Sequence, residues 1–202
     1  MIFEKKSFEE AIRLWKGWND SINVVSRKDI DNLFEHHILH SLAIAEYLDR
    51  KVLKEGGEVP AWNVLDVGTG GGFPGIPLAM VFPQMHFTLC DSIGKKVKVA
   101  HSVADALGLG NVECVNSRAE ALPSKYDLVV SRAVTSLENF YPWVKDRFTG
   151  RILYLKGGDV NPEIAALCGK FRLDPQKITA WPISDWLEDD YFAEKFVIDI
   201  RK

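Results

Sequence analysis

A glycine-rich stretch with one acidic residue carries the most informative chemistry in the sequence. It occupies residues 64–77 and reads VLDVGTGGGFPGIP, so that Asp66 precedes Gly68, Gly70 and Gly72 at alternate positions. Glycines let a backbone turn tightly and approach a ligand with no Cβ in the way. The stretch follows an apolar run and opens a helix-like one, and ligands of open α/β sheets bind beyond the carboxyl ends of the strands. We therefore predict a ligand-binding loop.

Two nucleotide cofactors could occupy such a loop. Gly70, Gly72 and Gly75 match the fingerprint of dinucleotide-binding loops, but such a loop begins directly after its strand, where Gly68 lies. A carboxylate at Asp66 would repel a pyrophosphate, whereas it suits S-adenosylmethionine, which carries an ammonium and a sulfonium group. The residues favour S-adenosylmethionine. Two alternatives remain: NAD as the cofactor, and a loop that turns the chain without binding a ligand.

A second acidic residue, Asp91, ends the next apolar run, 23 residues after Gly68. In Rossmann-like folds an acidic side chain at this place accepts hydrogen bonds from ribose hydroxyls. Both candidate cofactors contain such a ribose, so Asp91 supports nucleotide binding without separating the two.

Short apolar runs alternate with helix-like segments and predict the scaffold for these residues. The strand-like runs lie at 62–67, 87–90, 112–115, 126–130 and 151–155, and the helix-like segments at 76–81, 95–107, 137–144 and 162–167. Such alternation indicates right-handed βαβ units and a parallel sheet. Two late runs, 177–181 and 195–200, have no helix between them and could form an antiparallel hairpin at the sheet edge. We predict an α/β fold with a Rossmann-like sheet of about seven strands.

The N-terminal region has helical periodicity instead. Ser7 and Glu10 have the spacing of a capping box, and an apolar stripe follows from Phe8 to Trp15. Asp29 could cap a second helix that continues to about residue 50.

The composition at residues 55–60, EGGEVP, is typical of a linker. We therefore expect an N-terminal helical extension over 1–55 and a cofactor-binding domain over 56–202.

Composition excludes several classes of protein. The chain has 202 residues, 47% hydrophobic and 26% charged, which is the balance of a globular protein. No apolar run approaches the roughly 18 residues that a membrane span needs, and no secretory signal is recognisable. Cys90, Cys114 and Cys168 are far apart and form no CxxC motif, which indicates reduced thiols. We expect a cytoplasmic protein with no membrane partner.

The net charge of −3 comes from the C-terminal region. Residues 183–202 contain six acidic and three basic side chains, so the first 182 residues are balanced. A nucleic-acid partner would therefore have to bind to a local basic face.

The whole pattern resembles the 16S ribosomal RNA 7-methylguanosine methyltransferase family, also called ribosomal RNA small subunit methyltransferase G or glucose-inhibited division protein B. The resemblance runs from about residue 23 to 156, and the FPGIP run in the glycine loop is its most specific part. Further matching segments are LCDSIGKK at 89–96, SRAE at 117–120, SRA at 131–133 and LKG at 155–157. The resemblance implies a class I methyltransferase fold and an enzyme that methylates N7 of a specific guanosine in 16S rRNA, within the small ribosomal subunit or an assembly intermediate.

The loop chemistry and the resemblance together assign a set of residues to S-adenosylmethionine. These cofactor-binding residues are Asp66, Gly68, Thr69, Gly70, Gly72, Phe73, Asp91, Ala119, Glu120 and Arg132. Asp91 would hold the ribose, and Ala119 and Glu120 would lie beside the adenine. Arg132 is the one catalytic candidate, which we expect to bind a phosphate, the guanine O6 edge or the cofactor carboxylate.

A second set is assigned to RNA. Lys156 would face RNA, and His37 matches the family's Arg-His-Ile-x-Asp-Ser motif, in which His36 and His40 here replace Arg and Asp. The basic pairs Arg27–Lys28 and Lys95–Lys96 complete the set. The three histidines could become cationic in slightly acid conditions and contact RNA. They lack a carboxylate or thiolate to complete a metal site, so we predict a polar helix face and no metal.

The chemistry of guanine N7 agrees with the residues present. N7 has a free lone pair and no proton to lose, so its methylation needs alignment and desolvation and no strong base. The segment at 131–133 lacks the Asp/Asn-Pro-Pro-aromatic motif of exocyclic amine methylation and a cysteine for cytosine C5 methylation. A methyltransferase for another RNA or a small molecule, and a non-catalytic nucleotide-binding module, remain as alternatives. We expect a monomer.

Overall fold

A seven-stranded mixed sheet forms the centre of the computed structural model, which describes residues 3–53 and 59–202. The strands are β1 (Asn63–Val67), β2 (His86–Asp91), β3 (Val112–Asn116), β4 (Tyr126–Arg132), β5 (Phe148–Gly157), β6 (Ile178–Pro182) and β7 (Lys195–Arg201). Their order in space is β3-β2-β1-β4-β5-β7-β6. The first five strands are parallel, and β7 runs antiparallel to both β5 and β6. The predicted α/β sheet and its late antiparallel hairpin are confirmed.

Six α-helices accompany the sheet in the described part of the chain. They are α1 (Glu9–Asn19), α2 (His40–Tyr47), α3 (Gly75–Val81), α4 (Gly94–Ala106), α5 (Leu137–Val144) and α6 (Asn161–Phe171). Wider π-helical turns at Leu33–Leu39 and Leu48–Val52 flank α2. No helix among the described residues combines the length and apolar character that crossing a membrane requires.

The central strands are buried on both faces, as a parallel sheet covered by helices requires. Residues 64–67 of β1 are all buried, and β1 pairs with β2 on one side and β4 on the other. Because these strands are parallel, their carboxyl ends meet at one edge of the sheet. Three predicted functional positions, Gly68, Asp91 and Arg132, are thereby brought to the same edge.

The N-terminal helices share a hydrophobic core with the sheet. Trp15, Ile38 and Leu42 belong to the same buried cluster as Val64 of β1 and Val130 of β4. The predicted helical character of this region is confirmed. The predicted domain boundary at 55/56 and residues 55–58 of the predicted linker lie outside the described residues, so the division into two domains stays a prediction.

Two predicted helix caps are wrong. The first α-helix begins at Glu9 with Phe8 as its N-cap, and Ser7 lies in a preceding 3-10 turn. Phe8 itself is buried, with its ring near that of Phe34. Asp29 makes no side-chain cap to the turn that follows it, because its carboxylate is bound by histidine side chains.

Candidate active site

An open cavity of about 490 Å³ lies at the carboxyl ends of β1, β2 and β4. Its volume is in the range of small-molecule and cofactor sites. The predicted cofactor residues that line it are Gly68, Thr69, Gly70, Phe73, Asp91, Ala119, Glu120 and Arg132. The structure thus brings together most of that set, and it places Asp66 and Gly72 behind the cavity wall.

The glycine loop adopts backbone conformations that favour glycine. Gly68 has a φ of 70° and Gly70 a φ of 58°, both in the left-handed region. A Cβ at Gly68 would collide with the Val134 side chain, whereas a Cβ at Gly70 would meet nothing within 4 Å. Gly70 therefore offers bare backbone to the cavity, where a cofactor could lie against it. Gly72 lies further back, where its carbonyl accepts the N–H of Ile76.

Asp91 joins the glycine loop to the end of β2. Its carboxylate is buried, with Oδ2 accepting the N–H of Gly70 at 2.9 Å and Oδ1 accepting the N–H of Ile93 at 2.8 Å. Each carboxylate oxygen can accept more than one hydrogen bond. Asp91 can therefore shape the loop and still accept hydrogen bonds from a ribose.

Asp66 is completely buried under the loop. Its Oδ2 accepts the N–H of Gly75, the first residue of α3, at 2.8 Å, and its Oδ1 has no hydrogen-bond partner among the described residues. Burial raises the pKa of Asp66 to about 7. In this position the side chain anchors the start of α3, so any charge contact with a cofactor would have to act across the loop backbone.

The N-terminal region builds one wall of the cavity. Val24 lines it and packs so closely on Gly71 that a Cβ there would lie 2.6 Å from the Val24 Cβ. The turn that carries Val24 is held by Asn19, whose side-chain oxygen accepts the N–H groups of Val24 and Val25. Sequence reasoning missed this wall because nothing in the spacing of residues 19–25 indicates which loop they cover.

Trp15 of α1 reinforces that wall. The Trp15 indole N–H donates to the Gly71 carbonyl at 2.7 Å, and its ring stacks on Phe73 with centroids 4.3 Å apart. Trp143 of α5 also lines the cavity. Trp143 was also missed, since its helical spacing is equally typical of a core residue.

Arg132 lies at the end of β4, partly buried between the cavity and the N-terminal region. One guanidinium nitrogen lies 3.0 Å from His37 Nδ1, and another donates to the His36 carbonyl at 3.5 Å. Its central carbon lies 5.0 Å from the centroid of the Phe73 ring, within the range of a cation–π contact. Burial lowers the pKa of Arg132 to about 10, so the group remains a cation at neutral pH.

The predicted polar face of histidines is wrong. His37 Nε2 lies 2.8 Å from Asp29 Oδ2, and burial together with the Arg132 charge lowers the pKa of His37 to about 4. His40 is buried beside the rings of Tyr191 and Phe192, and burial lowers its pKa well below the usual value. Neither imidazole becomes cationic in slightly acid conditions, because His37 lies buried against the Arg132 cation and His40 is covered by a C-terminal segment that the local sequence does not reveal.

His36 also faces inward. Its ring stacks on Tyr191 with centroids 3.6 Å apart, and its Nδ1 lies 2.6 Å from Asp29 Oδ1. Within residues 3–53 and 59–202, no cluster of histidine, cysteine and carboxylate side chains could hold a metal ion.

The predicted RNA-binding residues separate into two groups. Arg27, Lys28 and Lys95 are exposed, as a phosphate-binding role requires, whereas Lys96 is half-buried and lines the cavity. Lys156 has a side chain only 13% exposed, with Nζ 2.9 Å from Glu163 Oε1.

The same Lys156 ammonium donates to the Thr135 carbonyl at 3.2 Å, while Glu163 Oε2 accepts the N–H of Leu137 at 2.9 Å. The structure therefore ties Lys156 to the segment after β4 and does not place it on an exposed face.

The fold is that of the class I S-adenosylmethionine-dependent methyltransferases. The fold is shared with magnesium protoporphyrin IX methyltransferase from Synechocystis, solved with bound SAM, at a TM-score of 0.64 and 16% identity over 100% of this chain and 99% of that one. It is also shared with a T. thermophilus 16S rRNA N2 methyltransferase in complex with AdoMet and guanosine, at a TM-score of 0.60 and 19% identity, covering 81% of this chain and 43% of that one.

The chain belongs to the rRNA small subunit methyltransferase G family, whose model matches residues 4–183. The ribosomal RNA small subunit methyltransferase G of Flavobacterium johnsoniae is 44% identical over 203 residues, which cover 96% of this chain and 90% of the relative. The corresponding protein of Porphyromonas gingivalis is 45% identical over 204 residues, which cover 96% of this chain and 86% of the relative. The predicted family, enzyme class and cofactor are confirmed.

Proposed function

We propose that this protein transfers a methyl group from S-adenosylmethionine to N7 of one guanosine in 16S rRNA of the small ribosomal subunit. The observation that carries the proposal is the convergence of the glycine loop, Asp91 and Arg132 on one cavity, in a chain whose relatives are named rRNA small subunit methyltransferases. Their names specify the RNA, and the chemistry of the cavity supports the acceptor atom.

The cavity suits S-adenosylmethionine. The bare backbone at Gly70 leaves room for a cofactor, Asp91 can accept the ribose hydroxyls, and Ala119 with Glu120 forms the wall assigned to the adenine. When bound, S-adenosylmethionine supplies an electrophilic methyl group on a sulfonium. The protein has to hold the acceptor in line with that group and exclude water.

The ionisable groups that line the cavity support an acceptor that needs no base. The two carboxylates of the lining, Asp91 and Glu120, are assigned to the ribose and to the adenine wall, and Arg132 is a cation that cannot take up a proton. Cys90 donates to the Ser117 carbonyl, and burial raises the pKa of its thiol to about 11. A cysteine in this state is no nucleophile at neutral pH. Guanine N7, with its free lone pair, needs neither a base nor a nucleophile.

Arg132 is proposed to bind and orient the reactants at the cavity wall. A guanidinium has five N–H donors and no acceptor, and two of the Arg132 nitrogens already contact the N-terminal region. The remaining donors can bind an RNA phosphate, the guanine O6 edge or the cofactor carboxylate. We assign it no proton transfer.

The RNA is proposed to approach over the exposed cations Arg27, Lys28 and Lys95. Arg27 and Lys28 follow the turn that carries Val24, and Lys95 lies at the start of α4, next to the cavity-lining residue Lys96. This basic surface is small, and the chain is close to neutral. We therefore propose that a cytoplasmic monomer acts on structured RNA in the small subunit or an assembly intermediate.

The test is transfer of labelled methyl from S-adenosylmethionine to three substrates from cells that lack the enzyme: small subunits, naked 16S rRNA and tRNA. We expect label in small-subunit RNA at one N7-methylguanosine, located by strand cleavage at the modified base. Label confined to tRNA would favour another RNA substrate. No label in any RNA, with cofactor binding intact, would overturn the proposal in favour of a small-molecule or non-catalytic role.

A further inference from the structure

His37 connects two charged side chains that do not touch each other. Its Nε2 lies 2.8 Å from Asp29 Oδ2, and its Nδ1 lies 3.0 Å from a guanidinium nitrogen of Arg132. Asp29 belongs to the segment before the π-helical turn Leu33–Leu39 and does not line the cavity, whereas Arg132 does. The carboxylate can therefore influence the cavity through the imidazole.

The two partners fix the position of the imidazole proton. An ionised carboxylate only accepts hydrogen bonds, and a guanidinium only donates them. A neutral His37 must then carry its proton on Nε2, facing Asp29, and keep the lone pair of Nδ1 for Arg132. The opposite tautomer would point an N–H group at the guanidinium and leave Asp29 without a donor from this ring.

The charge states on both sides agree with this arrangement. Burial and the Arg132 charge lower the pKa of His37 to about 4, so the ring is neutral near pH 7. Burial opposes ionisation of Asp29, but hydrogen bonds from His36, His37 and Asn32 together lower the pKa of its carboxyl. Asp29 is thus a carboxylate under the conditions in which the enzyme works.

We infer that Asp29 is a positioning residue for methyl transfer, because through His37 it fixes the guanidinium of Arg132 at the cavity wall. The inference rests on the proposed function in one respect, because it requires that Arg132 take part in methyl transfer. His36 contributes a second constraint, since its carbonyl accepts from Arg132 and its ring is held by Asp29 and Tyr191. Without Asp29 the guanidinium would keep its charge and lose its fixed orientation.

The conservative variant Asp29→Asn tests the inference directly. The asparagine oxygen should take the place of Asp29 Oδ1, which contacts both His36 and Asn32. Its NH₂ group then faces His37, which favours a proton on Nδ1 and breaks the contact with Arg132. The matched control is Asp31→Asn, because Asp31 lies two residues away with a side chain 89% exposed and paired only with Lys16 among the described residues.

Two readouts separate positioning from a merely structural role. Nitrogen-15 spectra of histidine-labelled protein report the tautomer of each imidazole, and His37→Gln identifies the His37 signals. A double-mutant cycle with Arg132→Gln reports whether Asp29 acts through the arginine, since residues that act through one another give non-additive effects.

We expect His37 to be the Nε2–H tautomer in the unaltered protein and in Asp31→Asn, and to change tautomer in Asp29→Asn. Methyl transfer at saturating cofactor should fall about tenfold in Asp29→Asn, and the same change should cost less than about twofold when Arg132 is already glutamine. Additive losses, or an Nδ1–H tautomer in the unaltered protein, would overturn the inference. Absence of methyl transfer by the unaltered enzyme would refute the proposed function, while the spectra would still decide the tautomer.

Discussion

The indole N–H of Trp15 donates a 2.7 Å hydrogen bond to the carbonyl of Gly71, which fastens the first α-helix to the glycine loop. Trp15 is completely buried, and Gly71 is buried as well, so water cannot replace this bond. With Val24 packed on the same glycine, the N-terminal region forms part of the cofactor site. The shape of the loop thus depends on residues more than forty positions away in the sequence.

Replacing Trp15 by phenylalanine should separate the hydrogen bond from the aromatic packing. The variant keeps a ring against Phe73 but leaves the buried Gly71 carbonyl unpaired. An unsatisfied buried acceptor costs about 1–3 kcal/mol, so we expect a lower free energy of unfolding in urea and weaker S-adenosylmethionine binding by calorimetry. Trp18→Phe, a change in a half-buried tryptophan of the same helix, is the control. Equal stability and affinity in both variants would show that the bond contributes nothing.

Asp91→Ala should weaken cofactor binding strongly. The change removes the acceptor for the N–H groups of Gly70 and Ile93 as well as the proposed ribose contact. Hydrogen bonds to charged groups contribute about 1.5–3 kcal/mol each, so we expect the dissociation constant of S-adenosylmethionine to rise at least tenfold.

The control for that measurement is Asp105→Ala, in which an exposed carboxylate is removed from α4. Its affinity should equal that of the unaltered protein. If Asp91→Ala bound the cofactor as tightly as Asp105→Ala, the ribose site would lie elsewhere.

The sequence was sufficient to predict the sheet and those site residues that lie at the ends of its strands. Parallel strands end at a common edge, so Gly68 and Asp91 could be assigned to one cavity from the strand pattern, and the family resemblance added Arg132. The roles within that cavity were harder to predict, because burial decides them. Asp66 has the expected place in the chain, yet it is completely buried and bound to Gly75.

The histidines show what a local pattern cannot reveal. His36 and His40 have the spacing of one exposed helix face, but the helix widens into a π-helical turn and Tyr191 packs against both rings. That partner is about 150 residues distant in the sequence and lies in an acidic segment with no strand or helix signal. The burial of Lys156 is hidden for a similar reason, since its partner Glu163 lies on the following helix, α6.

The salt dependence of RNA binding should distinguish the exposed cations from Lys156. Each phosphate contact adds about one unit to the slope of log affinity against log salt concentration. Lys28→Ala and Lys95→Ala should therefore each weaken binding of small-subunit RNA and reduce that slope by about one. Lys156→Met should leave the slope unchanged, because its ammonium is paired with Glu163. A reduced slope in Lys156→Met, with unchanged slopes in the other two variants, would place the RNA at β5 and α6 and not at the exposed cations.

Asp66→Asn should change how stability depends on pH. In the folded protein burial keeps Asp66 protonated up to about pH 7, whereas an unfolded aspartate loses its proton near pH 4. Between these values the folded state binds more protons, so the unaltered protein loses free energy of unfolding as the pH rises. Asparagine cannot ionise, and its side-chain oxygen can still accept the Gly75 N–H. The stability of Asp66→Asn relative to the unaltered protein should increase from pH 4 to 7, by on the order of a few kcal/mol, and stay constant above. Urea unfolding at unit pH intervals measures this difference, and a flat profile would mean that the Asp66 carboxylate is already ionised at pH 4 in the folded protein.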